Sequence, residues 1–151
     1  MRVILAGMEL GLLLAFALAF LAPAATMPRH GRLLFWAGVV LIVLGSLLRR
    51  HCFRMLGDSF TGAVRVQADQ AVIDRGAYRF VRHPSYSAGM LLYVGLGLAL
   101  CNWLSLLVLV LATTVAYGYR VSVEERALAA TLGERYLAYA RRTKRFVPFV
   151  F

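Results

Sequence analysis

Four apolar runs, separated by polar segments of very unequal length, set the pattern of this chain. Val3–Ala22 is apolar apart from Glu9. At the helical rise it makes about 30 Å, one hydrocarbon thickness, which predicts a first transmembrane helix. A cleaved signal peptide is the rival reading, with Arg2 as its basic start and the small residues of Leu21-Ala-Pro-Ala-Ala25 as the cleavage region. We read the segment as a retained helix. Pro23, Pro28 and Gly31 mark a loop over Pro23–Arg32. Leu33–Leu48 is a short second span, with Arg32 and Arg49 placed to reach the two interfaces. Tyr86–Cys101 and Leu104–Val121 are the third and fourth, joined by a tight turn at Asn102 and Trp103 into a helical hairpin. From Val121 to Thr143 a helical pattern continues outside the membrane, and Arg145–Phe151 ends the chain as an aromatic tail lying on the membrane or packed against the body.

The longest polar connection, Arg49–Ser85, holds seven arginines and three aspartates. Ala63-Val-Arg-Val66 and Ala71-Val-Ile-Asp74 alternate weakly around Gln67–Gln70, consistent with a short extended hairpin; a helix continuing past Arg49 is equally compatible. The predicted fold is therefore an all-α integral membrane protein of one domain. It has about four transmembrane helices (3–22, 33–48, 86–101 and 104–121), a cytosolic loop over 49–85, and a cytosolic C-terminal helix and tail over 122–151.

Composition agrees. Of 151 residues, 61% are hydrophobic, against 45–50% in a typical soluble domain, which leaves little room for a separate soluble module. The net charge is +10, and 16 of the 17 basic residues are arginine. These cations flank apolar spans and form no soluble basic face, so they orient the protein and meet anionic lipid; nucleic acid is not an expected partner. Seven arginines lie in 49–85, and six with Lys144 lie beyond position 119, against two in 23–32 and none at 102–103. The positive-inside rule then puts the long loop, the tail and both termini in the cytoplasm. The composition looks bacterial, which makes the inner membrane the expected location. Cys52 and Cys101 fall at opposite ends of the third span, too far apart to bridge. No Cys/His spacing suits zinc, and His30, His51 and His83 are scattered, so no metal is expected.

Chemistry concentrates where a polar stretch runs straight into the third span. Arg79, Arg82 and His83 precede Pro84, whose fixed φ and missing N–H suit the first turn of a helix. A cationic and aromatic cluster thus sits at the membrane surface, beside a helix N-terminus that attracts anions. Singly, each residue has a plain role: arginine anchors to phosphate, proline starts a helix, and tyrosine belongs to the interfacial belt. Gly95 and Gly97 lie within the third span, where small residues chiefly permit close helix packing; glycine also lets a ligand reach backbone. Arg120 precedes Glu124 by four residues, which suits an ion pair along one helix face. Glu125 points elsewhere, so one carboxylate remains for a ligand. Glu9 is an ionisable group in an apolar run and a functional candidate on that ground.

The ordered set Gly76-x-Tyr78-x-x-x-Arg82-His83-Pro84-x-Tyr86, Gly95-x-Gly97, Arg120-x-x-x-Glu124-Glu125 and Gly133-x-x-Tyr136-x-x-Tyr139 resembles the integral membrane methyltransferases. These include isoprenylcysteine carboxyl methyltransferases and phospholipid N-methyltransferases. The resemblance covers roughly residues 45–148. It implies a polytopic helical enzyme that takes S-adenosylmethionine at a cytosol-facing site and a lipophilic acceptor from the bilayer. It further implies that Arg82, His83, Pro84 and Tyr86 help form the cofactor pocket and that Gly95 and Gly97 let the cofactor approach the third helix. Glu124 and Glu125 would contact the cofactor's polar groups, and Arg120 and Glu124 would serve the reaction, Arg120 by orienting the acceptor. Two features depart from the pattern. Ala88 stands where the family often has glycine, and four spans are fewer than in larger relatives, which points to a small acceptor rather than a prenylated protein.

Methyl transfer from a sulfonium is an in-line displacement, so positioning and desolvation carry it. A carboxylate acceptor needs no base, whereas a thiol or ammonium does, with His83, Glu124 or Glu125 as candidates. Tyr86, Tyr93 and Tyr117 offer aromatic faces to a sulfonium. The expected reaction is thus methyl transfer to a small lipophilic acceptor, most like isoprenylcysteine carboxyl methylation, with phospholipid N-methylation as the alternative. A rival from another class is a small proton-coupled exporter using Glu9, which leaves the long loop and the tail unexplained.

Overall fold

The structure, a computed structural model, describes residues 2–27, 30–57 and 72–147. Five α-helices carry it: α1 (Arg2–Leu21), α2 (Gly31–Leu56), α3 (Pro84–Ala99), α4 (Trp103–Leu132) and α5 (Glu134–Arg142). Among the described residues there is no β-strand, only two isolated bridges. The predicted all-α membrane architecture is what the chain adopts. α3 lies between α2 and α4, and α1 packs on the other side of α4.

Among the described residues three helices, α1 over Ile4–Leu21, α2 and α4, are long and apolar enough to cross a membrane. α3 has 16 residues, as many as the third span expected at Tyr86–Cys101, starts two residues earlier, and rises about 24 Å, less than the ~30 Å hydrocarbon layer. Its limits have local causes. Pro84 occupies the first turn, and the chain turns at Cys101, which has φ 51°. α2 runs to Leu56 rather than ending at Leu48, so the helix continuing past Arg49 is the form the chain takes. The extended pieces expected at Ala63–Val66 and beginning at Ala71 lie outside the described residues, and Val72–Asp74 has no regular structure. α4, at 30 residues and about 45 Å, outruns the ~30 Å hydrocarbon layer, so its Arg120–Leu132 end projects from the membrane.

Backbone meets backbone along the α2–α3 seam. A Cβ on Gly95 would sit 2.7 Å from Gly38 O and 2.9 Å from Ile42 N, and one on Gly45 would sit 2.8 Å from Ala88 O. Gly38/Gly45 and Ala88/Gly95 are each seven residues apart, so small residues line both facing surfaces over two turns. At one end of the bundle the α3–α4 turn locks α1. Asn102 accepts from Ser105 N at 3.1 Å as the α4 cap, and its amide donates to Leu18 O and Ala22 O at 3.3 and 3.0 Å. Leu18 O and Ala22 O also accept from Ala22 N and Ala25 N, at 3.0 Å each, so the amide adds a second bond to both carbonyls and ties the turn to the end of α1. Cys101 Sγ lies 3.2 Å from Gly31 O at this same end.

The opposite end gathers the arginine-rich pieces. Gly133, at φ 56°, breaks the helix and lets α5 fold back. Leu132, Tyr136 and Tyr139 form a buried cluster with Val72, Leu128, Ala129 and Ala140. The tail then runs beside residues 80–83: Arg82 N donates to Lys144 O at 2.7 Å, His83 N to Arg145 O at 3.1 Å, and Lys144 N to Phe80 O at 3.1 Å. The polar loop and the tail meet on one side, as the charge pattern anticipates.

Candidate functional site

The site forms where the Arg82–Tyr86 segment at the head of α3 meets the projecting end of α4. Pro84 starts α3, and His83 O accepts from Tyr86 N at 3.0 Å and Ser87 N at 3.2 Å. That sharp entry puts His83, Pro84 and Ser85 in the interior while Tyr86 turns toward α4.

Two hydrogen-bond systems share this junction. In the first, the Tyr86 hydroxyl accepts from Arg120 Nε at 2.6 Å and donates to Glu124 Oε2 at 2.7 Å. The helix-face pair expected between Arg120 and Glu124 therefore has a phenol between its members. Tyr86 engages only one carboxylate oxygen of Glu124. Its ring lies 5.1 Å from that of buried Tyr117, and the Arg120 guanidinium sits 5.9 Å from its centroid.

The second system centres on Glu125. Its Oε1 accepts from Arg82 Nε at 2.9 Å and lies 3.3 Å from His83 Nε2; its Oε2 accepts from Arg145 at 2.8 and 3.0 Å. A carboxylate only accepts, so Nε2 of His83 carries the proton in this contact. Arg82 also donates to Ala140 O and Thr143 O, at 2.6 and 2.5 Å. Burial alone raises the Glu125 pKa, but the hydrogen bonds from His83, Arg82 and Arg145 outweigh it and hold the carboxyl at about 2. Glu125 is thus filled by protein cations, where the sequence suggested a carboxylate facing a ligand. It joins three elements that are distant in the chain.

Gly95 and Gly97 had two readings in the sequence, helix packing and ligand approach. The space at Gly95 is taken by Gly38 and Ile42 of α2, and a Cβ on Gly97 would sit 2.7 Å from Leu106 Cα of α4. Both serve helix packing, the plainer of their two readings. Gly89 is the glycine of α3 that faces polar groups: a Cβ there would lie 2.6 Å from Arg49 Nη1 and from the Tyr117 hydroxyl.

Arg49 is a site neighbour that the sequence presented as a lipid anchor. Its Nη1 donates to Ser85 O at 3.4 Å and lies 3.5 Å from the Tyr117 hydroxyl. The signal was its place at the end of an apolar run, which does not reveal that α2 lies beside α3. Arg145 was likewise counted only as tail charge. Glu9 is exposed on α1 and is not brought to this cluster. A carboxylate that couples protons across a membrane faces the bundle interior or a cavity, so this placement does not favour the exporter.

Residues 33–135 match the phospholipid methyltransferase family. The chain is 32% identical over 115 residues to protein-S-isoprenylcysteine O-methyltransferase B of Arabidopsis thaliana, covering 75% of this chain and 58% of that protein. With the protein-S-isoprenylcysteine O-methyltransferase of Saccharomyces cerevisiae it shares 29% identity, over 75% of this chain and 48% of the yeast protein. The chain therefore spans about half the length of these relatives. The solved structure of a eukaryotic intramembrane Ras methyltransferase, isoprenylcysteine carboxyl methyltransferase, has the same fold: TM-score 0.76, 24% identity, 99% of this chain and 52% of that one.

Proposed function

The chain belongs to the phospholipid methyltransferase family, and on that premise we propose that it methylates a small lipophilic acceptor at the α3–α4 junction, using S-adenosylmethionine. The observation that carries this reading is the Arg120–Tyr86–Glu124 chain, a cation and a carboxylate held by one phenol at the projecting end of α4. That donor set fits the cofactor, whose amino-acid end pairs an ammonium with a carboxylate. S-adenosylmethionine supplies the activated methyl group when bound.

Glu124 would hold the ammonium or a ribose hydroxyl, and Arg120 would orient an anionic group of cofactor or acceptor. Tyr86 fixes both and offers its ring face to positive charge. Buried His83 and Pro84 would close the inner wall and exclude water, while the Arg82–Glu125–Arg145 cluster would hold the wall in place. An isoprenylcysteine-like carboxylate is the acceptor this arrangement suits best. It arrives charged and needs no base, and His83 Nε2 is already committed to Glu125. Membership of the phospholipid methyltransferase family supports a phospholipid amine as the second reading, for which Glu124 would take the proton. With the arginine-rich end facing the cytoplasm, the site opens there, and both ends of the chain would lie on that side of a bacterial inner membrane.

Calorimetric titration of S-adenosylhomocysteine into the purified protein in lipid nanodiscs tests the proposal. Micromolar binding, weakened at least tenfold by Glu124→Gln, is the expected result. No binding in lipid or detergent ends the methyltransferase reading. Methyl incorporation into an S-prenylated cysteine or into phosphatidylethanolamine then decides the acceptor.

A further inference from the structure

An open cavity of about 590 Å³ lies between α2 and α3, apart from the Tyr86–Glu124 contact. It is lined by Ser46, Arg49, Arg50, Phe53 and Arg54 of α2 and Leu92 of α3. Ser46, Arg50 and Arg54 recur at four-residue intervals, so they form one row on the helix. Arg49 and Phe53 form the next row, with the guanidinium 5.0 Å from the ring centroid.

The apolar run of α2 ends at Leu48, so the arginines stand at headgroup depth while Leu92 and Ser46 face the acyl region. Three cations converge, and among the described residues no carboxylate lines the cavity. Arg50 and Arg54 are exposed and have no hydrogen-bond or ion-pair partner among the described residues.

We propose that this groove is a binding site for one anionic phospholipid, its phosphate held by Arg50 and Arg54 and its first methylenes lying on Phe53 and Leu92. Charge complementarity selects the occupant. A zwitterionic headgroup would bring its own cation against three arginines, and a cavity of this volume exceeds what a lone phosphate fills. Arg49 gives the site a second consequence. It lines the groove and also reaches Ser85 O and the Tyr117 hydroxyl, so the lipid would sit against the outer wall of the candidate site. The assignment stands on the groove alone and does not depend on the methyltransferase reading.

Native mass spectrometry of the full chain in mild detergent tests it, with dioleoyl phosphatidylglycerol and dioleoyl phosphatidylcholine supplied in equal amounts. The expected result is one retained phosphatidylglycerol, preferred by about thirtyfold, the scale set by two interfacial cations. Arg50→Gln with Arg54→Gln should remove that preference, while Arg141→Gln on α5 leaves it. Equal retention of both lipids overturns the site, as does a preference that survives the double substitution or is lost with Arg141→Gln. One-for-one displacement of phosphatidylglycerol by an S-prenylated cysteine also overturns it and gives the groove to the acceptor. Binding of S-adenosylhomocysteine by the same samples reports on the proposed function separately.

Discussion

Arg82 Nε donates to Glu125 Oε1 at 2.9 Å, tying the loop before α3 to the projecting end of α4 across 43 positions of sequence. Both side chains are largely shielded, at 12% and 13% exposure, so their charges depend on each other more than surface ions do. Glu125→Ala leaves Arg82 and His83 facing an empty acceptor. It is expected to cost about 3 kcal/mol, at the lower end for breaking a buried pair. Arg145→Ala removes a half-exposed partner and should cost far less. Thermal unfolding of the two variants in nanodiscs measures the difference, and equal losses would refute the clamp.

The same carboxylate sets a pH dependence. Glu125 titrates at about 2 in the fold, against an ordinary value of 4.5. A depressed folded pKa means the unfolded chain binds the proton more readily. The clamp's contribution is therefore complete above about pH 4.5 and is lost as pH falls toward 2. The gap in melting temperature between the wild type and Glu125→Gln should narrow over that window. A gap constant from pH 6 to pH 2.5 would show that the carboxylate's charge does not matter to the fold.

Most of this architecture was legible because a bilayer imposes length and polarity directly. The runs around α1, α2 and α4 announce themselves. The motif at Arg82–Tyr86 marks the candidate site, since Pro84 and the apolar run after it fix where a helix begins. Pairwise partners were not legible. A four-residue spacing suggested Arg120 with Glu124, and the chain instead interposes Tyr86 from α3, which no local spacing encodes. Glu125 looked free because its partners Arg82 and Arg145 come from two other segments. How far α2 runs past Arg49 stayed open in the sequence because charge ends an apolar run without ending a helix.

Tyr86→Phe isolates what the phenol does. It removes one hydroxyl, keeps the ring beside Tyr117, and leaves Arg120 and Glu124 in place. S-adenosylhomocysteine binding is expected to weaken about 10- to 100-fold, the value of one hydrogen bond to a charged group. Thermal stability should shift by under about 1 kcal/mol, because both charged groups keep access to water. Unchanged calorimetric affinity would remove Tyr86 from the cofactor site.

The glycines of α3 give a test that separates packing from ligand approach. An added methyl at Gly95 meets Gly38 O at 2.7 Å and Ile42 N at 2.9 Å, both backbone atoms that move only if the helices part. Gly95→Ala is therefore expected to destabilise the protein by about 1–3 kcal/mol through overpacking. Gly118→Ala on α4 is the control: nothing lies within 4 Å of its added methyl, and removing a helical glycine should be neutral or stabilise by up to about 1 kcal/mol. In a packing role, Gly95→Ala lowers the melting temperature while the folded fraction binds S-adenosylhomocysteine as the wild type does. A variant that melts normally and binds at least tenfold more weakly would instead put the ligand against the α3 backbone at Gly95.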